Sequence, residues 1–403
     1  MPNGLISELA GASVGLRSGV ETPRPFPTPN RAPKRLFLPG LDGLRGLAVA
    51  FVMVFHFVGY LDPAKLGTTI LHSLTSEGWV GVEIFFVLSG FLITGVLLDS
   101  KGQTHYFRNF YARRVLRIFP LYYAVLFLLL IYSAYSYWTS SFLPIAVKSQ
   151  LWLWLYASNV PMMTSGTGFR CDHFTFSHFW SLAIEEQFYL IWPIVVWRCN
   201  QRQLCRVALG IFMVSFFVRA LLYPVIGERG VYRFTLCQVD GLALGAFLAL
   251  VFRSKTISSR ILNIGRATLF VSLVGLWAIA LWRSGLRLND KVVLLFGLSL
   301  IAMASGGLLI EVVWGNPAGV IQRAFMSRGL RSLGVYSYGI YVFSGLLRPI
   351  FASMIPHLAR YVNSYALGAC LYLLISITCS VLLAMGSYRL YEVRFLRLKR
   401  HFQ

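Results

Sequence analysis

The chain has 403 residues, 57% of them hydrophobic and 15% aromatic, and a mean hydropathy of +0.65. Apolar runs of about eighteen residues or more recur along it, which excludes a soluble globular domain and implies an all-α, polytopic membrane bundle. The net charge of +22 is that of a nucleic-acid binder, yet the basic residues lie between apolar runs and form no face or arm of a soluble domain. They orient helices instead.

Residues 1–38 form a basic, Pro-rich leader (Pro23, Pro25, Pro27, Pro29, Pro33, Lys34, Arg35). No small-residue cleavage site follows a short apolar core, so a cleaved signal peptide is not expected. The first span, Leu41 to Tyr60, contains Arg45 and His56. At about 100° per residue, eleven steps return to within about 20°, so both side chains share a helix face roughly 16 Å apart along its axis. Ionisable groups in hydrocarbon cost a few kcal/mol each and usually mark function. Asp42 lies three residues before Arg45, the spacing of a helical ion pair.

The second span, Trp79 to Leu98, carries Glu83 near its start. Ser89-Gly90 within it reads as small-residue helix packing, with no base at its depth to activate Ser89. An arginine-rich segment follows from Phe110 and is expected to form an interfacial helix ending at Pro120. Arg114 and Arg117, three apart on it, can grip a phosphate or pyrophosphate through forked hydrogen bonds. Ordinary topology anchoring, with Arg113, explains the same residues.

A third span runs from Pro120 to Trp138. Leu151 to Tyr156 is apolar but short and reads as an interfacial or re-entrant piece, because counting it as a span reverses the charge asymmetry downstream. The fourth span, Phe179 to Trp197, opens with Glu185, Glu186 and Gln187. Adjacent acids differ by about 100° on a helix, so only one faces a given partner. Trp180, Tyr189 and Trp192 read as belt or packing aromatics. Six more spans lie near Val207 to Val225, Arg233 to Val251, Ala267 to Trp282, Val292 to Val313, Ser332 to Ile355 and Tyr365 to Tyr388.

That makes about ten spans, occupying residues 39–393, followed by a basic tail over 394–403. The leader, the tail and every second loop hold 25 of the 37 Lys and Arg residues, which puts both termini in the cytoplasm. The six cysteines show neither CxxC nor a metal-ligand cluster with histidine, so neither a disulfide framework nor a metal is expected.

With this topology His56, Glu83, Glu185, Glu186 and Asp240 fall in one outer layer. A histidine with a carboxylate at its depth is the minimum for general-base catalysis. Which of Glu83, Glu185 and Glu186 partners His56 stays open, and structural pairing of buried charge is the competing explanation.

Together these segments resemble the membrane acyltransferase-3 family. The resemblance rests on LDGLRGLA from Leu41 with His56, on GWVGVEIFFVLSGFLI from Gly78, and on Arg114-x-x-Arg117-Ile-x-Pro120. It continues with FWSLxxEEQFY from Phe179 and ends with Tyr391-Glu392. In that family the Arg and His corresponding to Arg45 and His56 are treated as essential, and the Arg-x-x-Arg pair is associated with an acyl-CoA donor. Many relatives carry a histidine near Ser344 and an aspartate where Glu83 stands. Some carry a hydrolase-like domain after the last helix, for which 403 residues leave no room.

The resemblance implies an O-acyltransferase of the bacterial inner membrane that moves an acyl group, acetyl being the expected one, from cytoplasmic acyl-CoA to a hydroxyl of a surface carbohydrate, glycolipid or related small molecule. Arg114, Arg117 and Arg45 would hold the donor, and His56 would act as general base or as an acyl-histidine relay. The rival reading is a secondary transporter with a proton relay. Against it, no inverted repeat is visible.

Overall fold

The computed structural model describes residues 38–66, 77–140, 147–165, 168–171, 174–253 and 259–402. The basic leader lies outside them. Ten helices carry the architecture among the described residues: α1 (Pro39–Val58), α2 (Val80–Ser100), α3 (Tyr106–Ser140), α4 (Phe179–Arg198), α5 (Gln201–Val231), α6 (Thr235–Arg253), α7 (Ser259–Arg283), α8 (Leu298–Trp314), α9 (Ser337–Leu346) and α10 (Tyr365–Ser387). The only described sheet is a two-residue ladder pairing Arg170 with Thr175 and Cys171 with Phe174. The all-α membrane bundle is therefore what the chain forms.

Eight described helices are long and apolar enough to cross a membrane. A ninth arises if α9 is joined to Arg348–Tyr361 across a 54° bend. The remaining expected span is α4, which has the length but carries Glu185, Glu186 and Arg198. Leu151 to Trp154 ends an eight-residue helix, Val147–Trp154. At 1.5 Å per residue that helix covers about 12 Å, too little to cross a bilayer.

One expectation is overturned. The arginine segment does not end at Pro120; it runs through it into one helix of 35 residues. Proline removes a single helical N–H, and membrane helices tolerate this where neighbours serve the freed carbonyls. The carbonyl this frees is that of Leu116, four residues back. Nearby, the Tyr338 hydroxyl donates to the Ile118 carbonyl at 2.8 Å and that of Tyr391 to the Pro120 carbonyl at 3.4 Å, tying this stretch to later parts of the chain.

Burial ranks the helices. In the most apolar eighteen-residue stretch of α1, α2, α6 and the segment ending with α8, 61% to 72% of residues are buried, against 11% and 17% in the corresponding stretches of α5 and α7, which present lipid-facing surfaces. Glycine sets the close approaches in the centre. A Cβ on Gly90 of α2 would overlap the backbone of Leu242, and one on Gly245 of α6 would overlap Val87, so these helices touch backbone to backbone. On α1, Gly46 meets the Leu330 carbonyl in the same way, and Gly334 meets that of Asp42. These contacts clamp the segment before α9 against the Arg45 end of α1.

Candidate active site

The two polar groups of α1 stand in two different surroundings. At the carboxyl-terminal end of α1, His56 is 4% exposed and its Nδ1 lies 3.1 Å from Oγ of Ser344 on α9. The ring of His178, the residue just before α4, meets it edge-on at 5.8 Å. Tyr341 packs 6.2 Å away and donates its hydroxyl to the His178 carbonyl at 2.6 Å. Ser181 of α4 bonds the same hydroxyl at 2.5 Å. Arg348, one turn beyond Ser344, places its positive charge within reach of the imidazole.

At the amino-terminal end, Asp42 and Arg45 form the expected ion pair at 2.8 Å. Arg45, Arg117, Tyr338, Tyr388 and Glu392 line a cavity of ≈ 160 Å³. Ser387 tethers Glu392 at 2.9 Å. Arg114 lies beside this group with its guanidinium 4.4 Å above the Tyr189 ring. The Tyr189 hydroxyl donates to Glu185 Oε2 at 2.7 Å and also meets the Ser89 hydroxyl. Tyr189 is thus more than a packing aromatic, and Ser89 has a polar partner that sequence spacing did not reveal. Trp192 fits the packing role: it is buried, and its Nε1 donates to Thr94 at 2.8 Å.

The single outer layer of carboxylates around His56 is not what the structure builds. No described carboxylate hydrogen-bonds to His56. Asp240 is committed elsewhere: its Oδ2 accepts from Arg219 Nη1 at 2.8 Å and from Ser299 at 3.1 Å, with both charged side chains fully buried. Structural pairing of buried charge explains it. Glu83, also fully buried, meets no hydrogen-bond partner among the described residues and acts electrostatically on Asp240 and Arg219. Glu185 accepts from Tyr189, and Glu186, about 100° round the helix, acts on Tyr122 and Tyr123. Yet both acids act electrostatically on Arg114, so the expectation that only one of them serves a given partner does not hold for this long side chain. Gln187 is structural, bonding the Tyr156 carbonyl at 3.1 Å and Asn159 at 2.9 Å.

One face of α4 connects the two ends. Ser181, Glu185 and Tyr189 recur every four residues, the spacing of a single helical stripe. They cover roughly 12 Å along the axis at 1.5 Å per residue. His178, Tyr341 and Arg348 had no sequence signal beyond lying near recognised motifs, because tertiary packing alone brings them to His56. Among the described residues no His, Cys, Asp and Glu cluster is arranged to hold a metal.

An acyltransferase domain family matches residues 38–385. The chain is 30% identical over 325 residues to the peptidoglycan O-acetyltransferase OatA of Listeria monocytogenes, covering 76% of this chain and 49% of that protein. It is 30% identical to the putative peptidoglycan O-acetyltransferase YrhL of Bacillus subtilis, over 76% of this chain and 48% of that one. Against the O-acetyltransferase OatA of Staphylococcus aureus the identity is 27%, over 88% of this chain and 57% of the other. The chain thus spans about half the length of the curated relatives it matches. No solved structure matches it. The family match takes in α1 through most of α10, with His56, Arg45, Arg114 and Arg117, and the chain belongs to the acyltransferase-3 family of multi-pass membrane proteins.

Proposed function

We propose that this protein is a membrane O-acetyltransferase that takes an acetyl group from acetyl-CoA and delivers it to a hydroxyl of a cell-envelope carbohydrate in the bacterial inner membrane. The observation that carries this reading is the polarity of the site. Arg45 and Arg117 line one cavity with Arg114 beside it, whereas His56 lies on the same helix as Arg45, roughly 16 Å further along. Guanidinium groups suit the phosphates of CoA, through forked, charge-assisted bonds. Pantetheine is long and thin enough to carry a thioester along the α4 stripe toward His56. There the imidazole takes the proton of the acceptor hydroxyl as its oxygen attacks the acyl carbon and the C–S bond breaks. Of the relatives named above, the Listeria protein is named a peptidoglycan O-acetyltransferase and the Bacillus one a putative peptidoglycan O-acetyltransferase, which makes a peptidoglycan-type sugar the first acceptor to try.

The test is incorporation of labelled acetyl from acetyl-CoA into envelope glycan by membranes containing wild type, His56→Ala or Arg45→Ala, each checked for insertion. Loss of label in both variants is expected. Wild-type incorporation by either would sink the scheme. Acceptor-dependent release of free CoA by the purified protein is the companion measurement, and substrate flux into liposomes without acyl-CoA would favour a transporter instead.

A further inference from the structure

We propose that Ser344 is a positioning residue that fixes the tautomer of His56, leaving Nε2 as the reactive nitrogen. This rests on the reading of His56 as the base, and it concerns a position where the resemblance leads one to expect a second histidine.

The geometry is local. His56 Nδ1 and Ser344 Oγ lie 3.1 Å apart, and the two residues are 4% and 0% exposed. No other hydrogen bond to the His56 side chain is formed by described residues. Ser344 Oγ also donates to the Tyr341 carbonyl at 3.4 Å, the backward bond to the preceding turn that serines inside helices commonly make. A hydroxyl has one hydrogen and two lone pairs. In the proposed arrangement the hydroxyl hydrogen is directed at Tyr341, the oxygen presents a lone pair to His56, and Nδ1 supplies the proton of their shared bond. In a neutral imidazole the other nitrogen then holds the free pair.

The remaining surroundings agree with a neutral ring oriented by one neutral partner. His178 presents a ring edge, Phe55 and Tyr341 pack alongside, and Arg348 contributes positive charge. No described carboxylate bonds Nδ1 to play the aspartate role of a triad. Proton balance is simple. Nε2 gains the acceptor's hydroxyl proton as the new C–O bond forms and the C–S bond breaks. The imidazolium then gives that proton to the CoA thiolate, directly or through solvent, and the Nδ1–H remains on Ser344 throughout.

The decisive measurement is nitrogen NMR of protein labelled with 15N-histidine, with the His56 signals taken as the difference between wild type and His56→Asn. A protonated Nδ1 and an unprotonated Nε2 are expected in the neutral state. The reverse assignment would overturn the proposal. Ser344→Ala should give a tautomer mixture and lower acetyl transfer by roughly 10-fold or more, the lower range of general-base contributions, with donor KM unchanged and a shifted pH–rate profile. Ser344→Thr, which keeps the hydroxyl, should restore the wild-type tautomer and profile. A Ser344→Ala spectrum identical to wild type would refute the positioning role. Because the NMR result does not depend on turnover, correct nitrogen signals combined with an active His56→Ala would reject the catalytic reading while sparing the tautomer assignment.

Discussion

Asp240→Asn separates a structural carboxylate from a catalytic one. Asp240 and Arg219 form a 2.8 Å ion pair with no exposure on either side chain. Arg219 also donates to the Cys237 carbonyl at 2.8 Å and to Ser299. The substitution keeps the shape and removes the compensating charge, leaving a guanidinium buried between α5 and α6. Breaking one side of a buried pair costs about 3–5 kcal/mol. Glu83 also acts on Arg219 electrostatically, so the lower end applies: about 3 kcal/mol, or roughly a 150-fold shift in the folded-to-unfolded ratio. Thermal unfolding in detergent, followed by monodisperse elution, should show a clear fall in midpoint, while the folded fraction keeps wild-type acetyl transfer per molecule. Replacing both partners together, Arg219→Met with Asp240→Leu, should recover most of the loss, because well-packed apolar pairs often substitute for buried ion pairs at no net cost. A wild-type midpoint with abolished transfer would refute the reasoning and return Asp240 to the chemistry.

Three further outcomes follow from the same geometry. Arg114→Lys keeps the charge but loses the flat stack 4.4 Å above Tyr189 and the forked donors, so the KM for acetyl-CoA should rise about 10-fold with little change in kcat; an unchanged KM would place the donor elsewhere. Tyr189→Phe removes the hydroxyl that donates to Glu185 and meets Ser89, at a cost of about 1–3 kcal/mol for the carboxylate left short of a donor, and transfer measured at saturating donor should fall without loss of insertion. Asp290 lies outside the spans, and although burial raises its pKa, hydrogen bonds from Arg283 and the Val292 and Val293 amides outweigh that and hold it below the usual carboxylate range. A lowered folded value means stability that is present above the unfolded pKa of about 4 and lost as pH falls through the folded one. Hydrogen-exchange protection over residues 284–292, measured relative to the intrinsic rate at each pH, should therefore fall on acidification in wild type and be low and pH-independent in Asp290→Asn.

Most of the bundle was legible because hydrocarbon imposes a one-dimensional rule: apolar length and flanking charge mark a span wherever they occur. The rule falters where polar groups enter a helix. α4 is the clearest case, since Glu185 and Glu186 lower its apolarity while the helix keeps its full twenty residues. Pro120 misled in the opposite direction. A proline costs a helix one N–H bond and strains the turn before it, and a helix packed in a membrane bundle can carry that cost where an isolated helix in water would end.

The site was legible in the same partial way. Helical spacing gives direction around one axis and depth along it, so Arg45 with Asp42, and the separation of Arg45 from His56, could be read from α1 alone. Depth says nothing about which faces of different helices meet. Glu83, Glu185 and Asp240 share a nominal depth with His56, yet α6 turns Asp240 toward Arg219 of α5, and α4 turns Glu185 toward Tyr189 and Arg114. What reaches His56 instead comes from α9 and from the residue before α4. The histidine expected on α9 is absent, and the serine in its place makes the bond to Nδ1. On the proposed reading of His56 as the base, that serine, at a position that looked like a loss of chemistry, selects which nitrogen is left to react.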